Sequence, residues 1–265
     1  MKYFELSYNN LIEDILVNGE IVQGRNGRTK KIFAQVLQID MTNEDQFPLL
    51  HTRKIFHKGV LGELAALVRS PKTIADFERW GCNYWKQWGK PDGTIEVDYG
   101  NAWFEDGQFD HLIHSLRLNP HDRRLIISGW RPNRLKELDL PCCHLLYQWF
   151  VREEKYLDMI WYQRSVDTMI GLPSDIVLAA AMNILIANQS GLKPGQLTMI
   201  LGDTHIYEEH WEGAEEFLQA FKLDRTYPTY ELACPPGMDI RMFEPSMIQI
   251  ENYTPSTIMK FELKS

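Results

Sequence analysis

The sequence is poor in cysteine, in long apolar runs and in positive charge, and each shortage excludes something. Four cysteines (Cys82, Cys142, Cys143 and Cys234) occur in 265 residues. They lack metal-ligand spacing, no metal ligand set is visible, and thiols of a cytosolic chain stay reduced. The longest apolar stretch, Ile176–Ile186, is broken by Asn183 and falls short of the roughly 20 residues of a membrane span. The opening residues, MKYFELSYNNLIEDI, carry early acids and no apolar core, so a cytoplasmic chain is expected. Lys and Arg total 28 against 36 Asp and Glu, a formal net charge of -8. A broad nucleic-acid surface is therefore not expected, and any phosphate site is local and built from a few arginines. Repeats, low-complexity tracts and Pro/Gly/Ser linkers are also missing, and the length suits one large domain or two small ones.

What is present is ample core material: 8 Trp, 11 Tyr and 12 Phe, with 44% hydrophobic residues, which excludes disorder as the main state. Apolar spacing predicts helices over 7–18, 61–68, 74–88, 107–118, from Pro173 to about Asn188, and over 208–221. Strands are predicted over 31–40, 125–130, 145–152, 156–163 and 197–201. Gly191 lies just past the long helix, as a terminator should. Elements cluster by type instead of alternating, which favours an α+β fold.

Chemistry concentrates in a few segments. Pro141-Cys142-Cys143-His144 sets a thiol at the head of an apolar strand. A lone cysteine there is usually a small buried hydrophobe. Asp122-Arg123-Arg124 and Gln163-Arg164-Ser165 supply guanidinium groups, which depress a nearby thiol pKa and bind phosphate in forked fashion; each arginine alone is more often a surface ion pair. Asp175, in Gly171-Leu172-Pro173-Ser174-Asp175, reads by itself as a first-turn acid favouring the helix dipole. Gly202–His210 reads by itself as a helix cap with Asp203 or Thr204 at the N-cap.

Taken as an ordered set, these segments resemble the folate-dependent thymidylate synthase family over nearly the whole chain. The resemblance rests on Phe47-Pro48-Leu49-Leu50, Glu63, Trp85 with Trp88, Asp98-Tyr99-Gly100, Asp122-Arg123-Arg124, Pro141–His144, Gln163–Ser165 with Asp167, Gly171–Pro173 and Gly202–Tyr207. It implies a single α+β catalytic domain over 1–265, with a large mixed sheet flanked by helices and packed sheet to sheet in a homodimer. It further implies 5,10-methylenetetrahydrofolate as co-substrate and a pyrimidine nucleotide monophosphate as substrate, with neither membrane nor nucleic acid as partner. Cys143 would be the nucleophile, with His144 beside it; Glu63 would handle protons near base position 4, and Tyr99 would assist proton removal from C5. Arg25 (from a flexible N-terminal loop), Arg164 and Ser165 would hold the 5′-phosphate, completed by Arg123 and Arg124 of the dimer mate. His205 and Tyr207 would hold the sugar, Asp167 the pterin, and Trp85 and Trp88 the folate pocket. Trp80 and Trp103 are read as core. The tail Pro255–Ser265 matches in length a segment that folds over ligands, although its chemistry differs.

One position departs from the uracil-using pattern. Where those members carry Asn, this chain has Asp175. Asn donates to uracil O4 and accepts from N3–H, whereas a carboxyl group suits the 4-amino group and N3 of cytosine. Asp175 thus points to a cytidylate. Ser174 replaces the family's usual folate-contacting Phe, which would admit water. The resemblance therefore implies C5 hydroxymethylation of dCMP. dCMP methylation, CMP hydroxymethylation and dUMP methylation are the alternatives, and a non-catalytic nucleotide- or RNA-binding protein is a more distant one.

Overall fold

The computed structural model describes residues 3–43, 45–223 and 226–264. Helix α1 (Phe4–Asn18) buries Phe4, Tyr8, Leu11, Ile12 and Ile15, one apolar stripe at helical spacing. It ends at Gly19, where the backbone turns extended (φ -65°, ψ 135°) and where a Cβ would lie 2.3 Å from the Ile15 carbonyl oxygen. Its buried Glu5 accepts from the backbone N–H groups of His51 (3.0 Å) and Thr52 (2.8 Å), tying the segment that enters the site. Strands β1 (Glu20–Gly24) and β2 (Gly27–Asp40) form a hairpin whose tip is Arg25-Asn26. Arg25 is thus carried on a tight turn between paired strands.

Helix α2 (His57–Leu67) follows, then α3 (Ile74–Glu78). The single helix expected over 74–88 does not form: Gly81 takes a φ of 81°, a left-handed conformation that stops the helix. The chain restarts as a 3-10 turn over Tyr84–Trp88, with Trp85 stacked on Phe77 at 4.7 Å. Helices α4 (Gly100–Trp103) and α5 (Gln108–Leu118) lead to β3 (Ile126–Ser128), β4 (His144–Arg152) and β5 (Tyr156–Asp167).

Helix α6 (Gly171–Ser190) crosses over to β6 (Lys193–Tyr207), which runs parallel to β5 while every other sheet pairing is antiparallel. Helix α7 (Trp211–Ala220) and a small hairpin of β7 (Thr229–Leu232) and β8 (Ile248–Glu251) complete the elements. The sheet is mixed and six-stranded, in the order β1-β2-β6-β5-β4-β3. With helices flanking it, the fold is α+β, as expected. By length and composition α6 could span a membrane, contrary to the reading that Asn183 breaks the apolar run, but 78% of its 18-residue apolar window is buried inside the fold. Asn183 is accommodated because its Nδ2 donates to the Leu157 carbonyl at 3.0 Å. Trp103 is fully buried, as expected of core.

The register sets the two sheet faces. Met159, Trp161, Met199 and Leu37 are buried on the face towards α6. Ile160, paired with Gln148 and Thr198, shares the opposite face with Phe150 and Val36, and all three are exposed.

Candidate active site

A cavity of about 690 Å³ opens where α2, the 3-10 turn, the ends of β5 and β6 and the start of α6 converge. It contains Cys143, His144, Glu63, Tyr99, Asp175 and Ser174, joined by Trp85, Trp88 and Asp167; Arg25, Arg164, Ser165, His205 and Tyr207 close the polar end. Arg123 and Arg124 are not brought there. Both are exposed, and Arg124 forks onto Asp122 with two contacts of 2.9 Å.

Cys143 sits one residue before β4. Its N–H donates to the Tyr99 hydroxyl oxygen (3.0 Å), and its carbonyl accepts from the Arg164 N–H (2.8 Å). Two of the three Arg164 side-chain nitrogens also engage this loop, Nε on the Cys142 carbonyl (2.8 Å) and Nη2 on that of Pro141 (2.9 Å). The thiol is not depressed as its arginine neighbours predict. Burial pushes it up, and Arg164 only opposes this, because loss of solvent outweighs one partly engaged cation. Buried Cys142 is likewise pushed up, to about 12.

Two carboxyl groups line the floor. Glu63 accepts from Tyr84 Oη (2.5 Å) and Trp85 Nε1 (2.7 Å), yet burial pushes it up to about 7. Asp175 accepts from Gln163 Nε2 at 2.6 Å, and burial pushes it up to about 8. At neutrality Asp175 is therefore mainly a neutral acid, able both to donate and to accept. It lies beyond the first turn of α6, so the helix-dipole reading fails. His144 is held neutral, burial driving it down to about 3, with Nδ1 2.6 Å from the Tyr147 hydroxyl.

Asp167 accepts from the N–H groups of Met169 (3.0 Å) and Ile170 (3.1 Å), shaping the turn into α6. The parallel register sets Ser165 beside Asp203 and Asp167 beside His205. Residues 202–207 are the end of β6, not a helix cap. Asp203 instead orients His205 (Oδ1 to Nδ1, 3.1 Å) and pairs with Lys31 at 2.8 Å.

The tail lies over the cavity mouth. The Arg53 guanidinium sits 4.6 Å from the Phe261 ring centre, His210 Nε2 is 3.0 Å from the Glu262 carbonyl oxygen, and Lys264 pairs with Glu209 at 2.7 Å. Ser265, the last residue of the expected tail, lies outside the described residues. Sequence reasoning missed Tyr84, Gln163 and Arg53, which also line the cavity, as site residues. Gln163 and Tyr84 directly adjoin Arg164 and Trp85, and that adjacency was the one available signal.

A thiol, two half-buried carboxyl groups, arginines and an edge-on tryptophan pair around one cavity suit an enzyme that modifies a phosphorylated heterocycle through a covalent adduct. A family model described as thymidylate synthase matches residues 6–265, and the chain belongs to the thymidylate synthase family. It is accordingly a one-carbon transferase, of the family that moves the carbon of 5,10-methylenetetrahydrofolate to C5 of a pyrimidine nucleotide.

Proposed function

We propose that this enzyme hydroxymethylates C5 of a cytidine monophosphate, dCMP foremost, as one catalytic domain over 1–265 acting in the cytoplasm. The observation that carries the base assignment is Asp175, held by Gln163 at 2.6 Å and pushed up to about 8 by burial. A neutral carboxyl donates its proton to cytosine N3 and accepts from the 4-amino group. A neutral carboxyl can mirror uracil too, so the preference comes from the basicity of cytosine N3. That nitrogen takes the proton as charge builds after attack on C6, and the carboxylate left behind accepts from N3–H and the 4-amino group, whereas it would repel uracil O4.

In this reading the Cys143 thiolate adds to C6, and C5 attacks the folate methylene carbon. The C5 proton leaves with help from the Tyr99 hydroxyl, which already accepts from the Cys143 N–H at 3.0 Å. Elimination of tetrahydrofolate leaves an exocyclic methylene; water adds to it and Cys143 departs from C6. Glu63 moves protons near base position 4, and neutral His144 lines the base without adding charge. Ser174 favours water: its hydroxyl turns back onto the Ile170 carbonyl (3.2 Å), and no aromatic ring stands at that position. Arg25, Arg164 and Ser165 bind the phosphate, His205 and Tyr207 the sugar, and Asp167, Trp85 and Trp88 the folate.

Arg123 and Arg124, exposed in the single chain, reach the phosphate of a second copy. The exposed sheet face with Val36, Phe150 and Ile160 supplies the homodimer contact. A methylated product is the competing outcome, favoured by the retention of Trp85 and His144. Product mass spectrometry with 5,10-methylenetetrahydrofolate and equal dCMP, CMP and dUMP tests the proposal. Hydroxymethylated dCMP is expected, hydroxymethylated CMP moves the substrate to the ribonucleotide, and thymidylate alone overturns the cytidylate assignment.

A further inference from the structure

Glu63 is gripped from one side by two consecutive residues of a single 3-10 turn. Tyr84 Oη donates to Oε2 and Trp85 Nε1 to Oε1, at 2.5 and 2.7 Å. One donor per oxygen fixes the rotation of the carboxylate, which a single contact would leave free to turn. The turn is itself anchored, since Trp85 stacks on Phe77 and meets Tyr99 edge-on at 5.7 Å. The titratable groups facing Glu63 are few: Tyr84, the buried Cys82 thiol that also hydrogen-bonds Tyr84, and Asp175 from α6. Among the described residues no cation pairs with Glu63, so its charged form depends on the two neutral donors.

We propose that Tyr84 is a positioning residue whose hydroxyl, paired with the Trp85 ring nitrogen, fixes the Glu63 carboxylate and aims its remaining lone pairs at the base-binding floor. The inference rests on the reading above that Glu63 does the proton work near base position 4. Trp85 alone would leave Oε2 without a protein donor, and the group would then answer to burial more than to hydrogen bonding. Tyr84 also lines the cavity, so it closes Oε2 to stray water on the protein side while the ligand side stays open.

The test titrates Glu63 directly, by carbon-13 NMR of labelled glutamate in the full-length ligand-free enzyme. In Tyr84→Phe the midpoint is expected to rise by about one pH unit, a tenfold change in the ionised fraction. Replacing Tyr84 by 3-fluorotyrosine, a stronger donor of nearly the same shape, lowers it. The limb of the kcat profile that follows Glu63 moves in the same directions, while the nucleotide KM stays within about twofold of wild type, since the phosphate site is untouched. A Glu63 midpoint unmoved in Tyr84→Phe overturns the proposal, and so does a midpoint unmoved by the fluorinated side chain if Tyr84→Phe does not fold. Wild-type enzyme that turns over no pyrimidine nucleotide would sink the functional reading instead, and the NMR titration would still decide the role of Tyr84.

Discussion

Gln163 Nε2 lies 2.6 Å from Asp175 Oδ2, and the amide that holds it there cannot be reversed. Trp161 Nε1, which only donates, approaches Gln163 Oε1 at 3.3 Å, and the Ser165 carbonyl, which only accepts, approaches Nε2 at 3.2 Å. Asp175 thus always meets an N–H on its inner side, leaving its other oxygen and its proton for the ligand.

If that geometry selects the base, Asp175→Asn should shift the preference from cytidylate towards dUMP. The ratio of kcat/KM values is expected to change on the order of 100-fold or more. Competition assays with both nucleotides measure it, and an unchanged cytidylate preference would sink the assignment.

The pH dependence of stability follows from the same group. Asp175 is raised in the fold to about 8 from an unfolded value of about 3.9, so the native state binds the extra proton. Its neutral form is stable at low pH, and stability is lost as pH rises from about 4 towards 8. Asp175→Asn, neutral throughout, should therefore melt above wild type at pH 8.5 in the ligand-free enzyme, with the gap closing towards pH 5. Thermal melts across that range check the sign.

Cys143→Ser should lower turnover by about 10⁴-fold or more while leaving the arginines and the nucleotide Kd nearly unchanged. Isothermal titration beside the activity assay separates loss of chemistry from loss of binding.

Phe261→Ala removes the ring that Arg53 covers at 4.6 Å. The tail should close less tightly and the folate KM rise by several-fold to tenfold, an effect of about 1 kcal/mol. The nucleotide Kd measured without folate should move far less.

Arg123→Ala combined with Arg124→Ala should raise the nucleotide KM by at least about tenfold, through the partner's phosphate site. Mixing this double variant with Cys143→Ser under subunit exchange should restore about a quarter of wild-type activity, because each mixed dimer keeps one intact site. No recovery on mixing would mean that the arginines act within their own chain, or not at all.

Much of the site was legible before the fold. Cys143 directly before His144, Arg164-Ser165, and Asp175 where Asn is usual are matters of residue type and order, which a sequence states outright. The α+β class was legible too, because helix and strand periodicities rest on local backbone geometry. Gly191 marked a helix end for the same local reason, and it adopts a φ of 73° there.

What only the tertiary structure decided depends on groups far apart in the chain. The helix expected over 74–88 broke at Gly81, since a left-handed glycine overrides apolar spacing, and that break is what turns Tyr84 and Trp85 together onto Glu63. Residues 202–207 looked like a cap because both faces of β6 are covered there, which erases the alternation a half-exposed strand would show. Nearby arginines in the sequence suggested a depressed Cys143, yet the thiol is raised and Asp175 and Glu63 with it. Residue type fixes which groups are present; solvent exclusion, a property of the closed fold, decides which of them carry a proton.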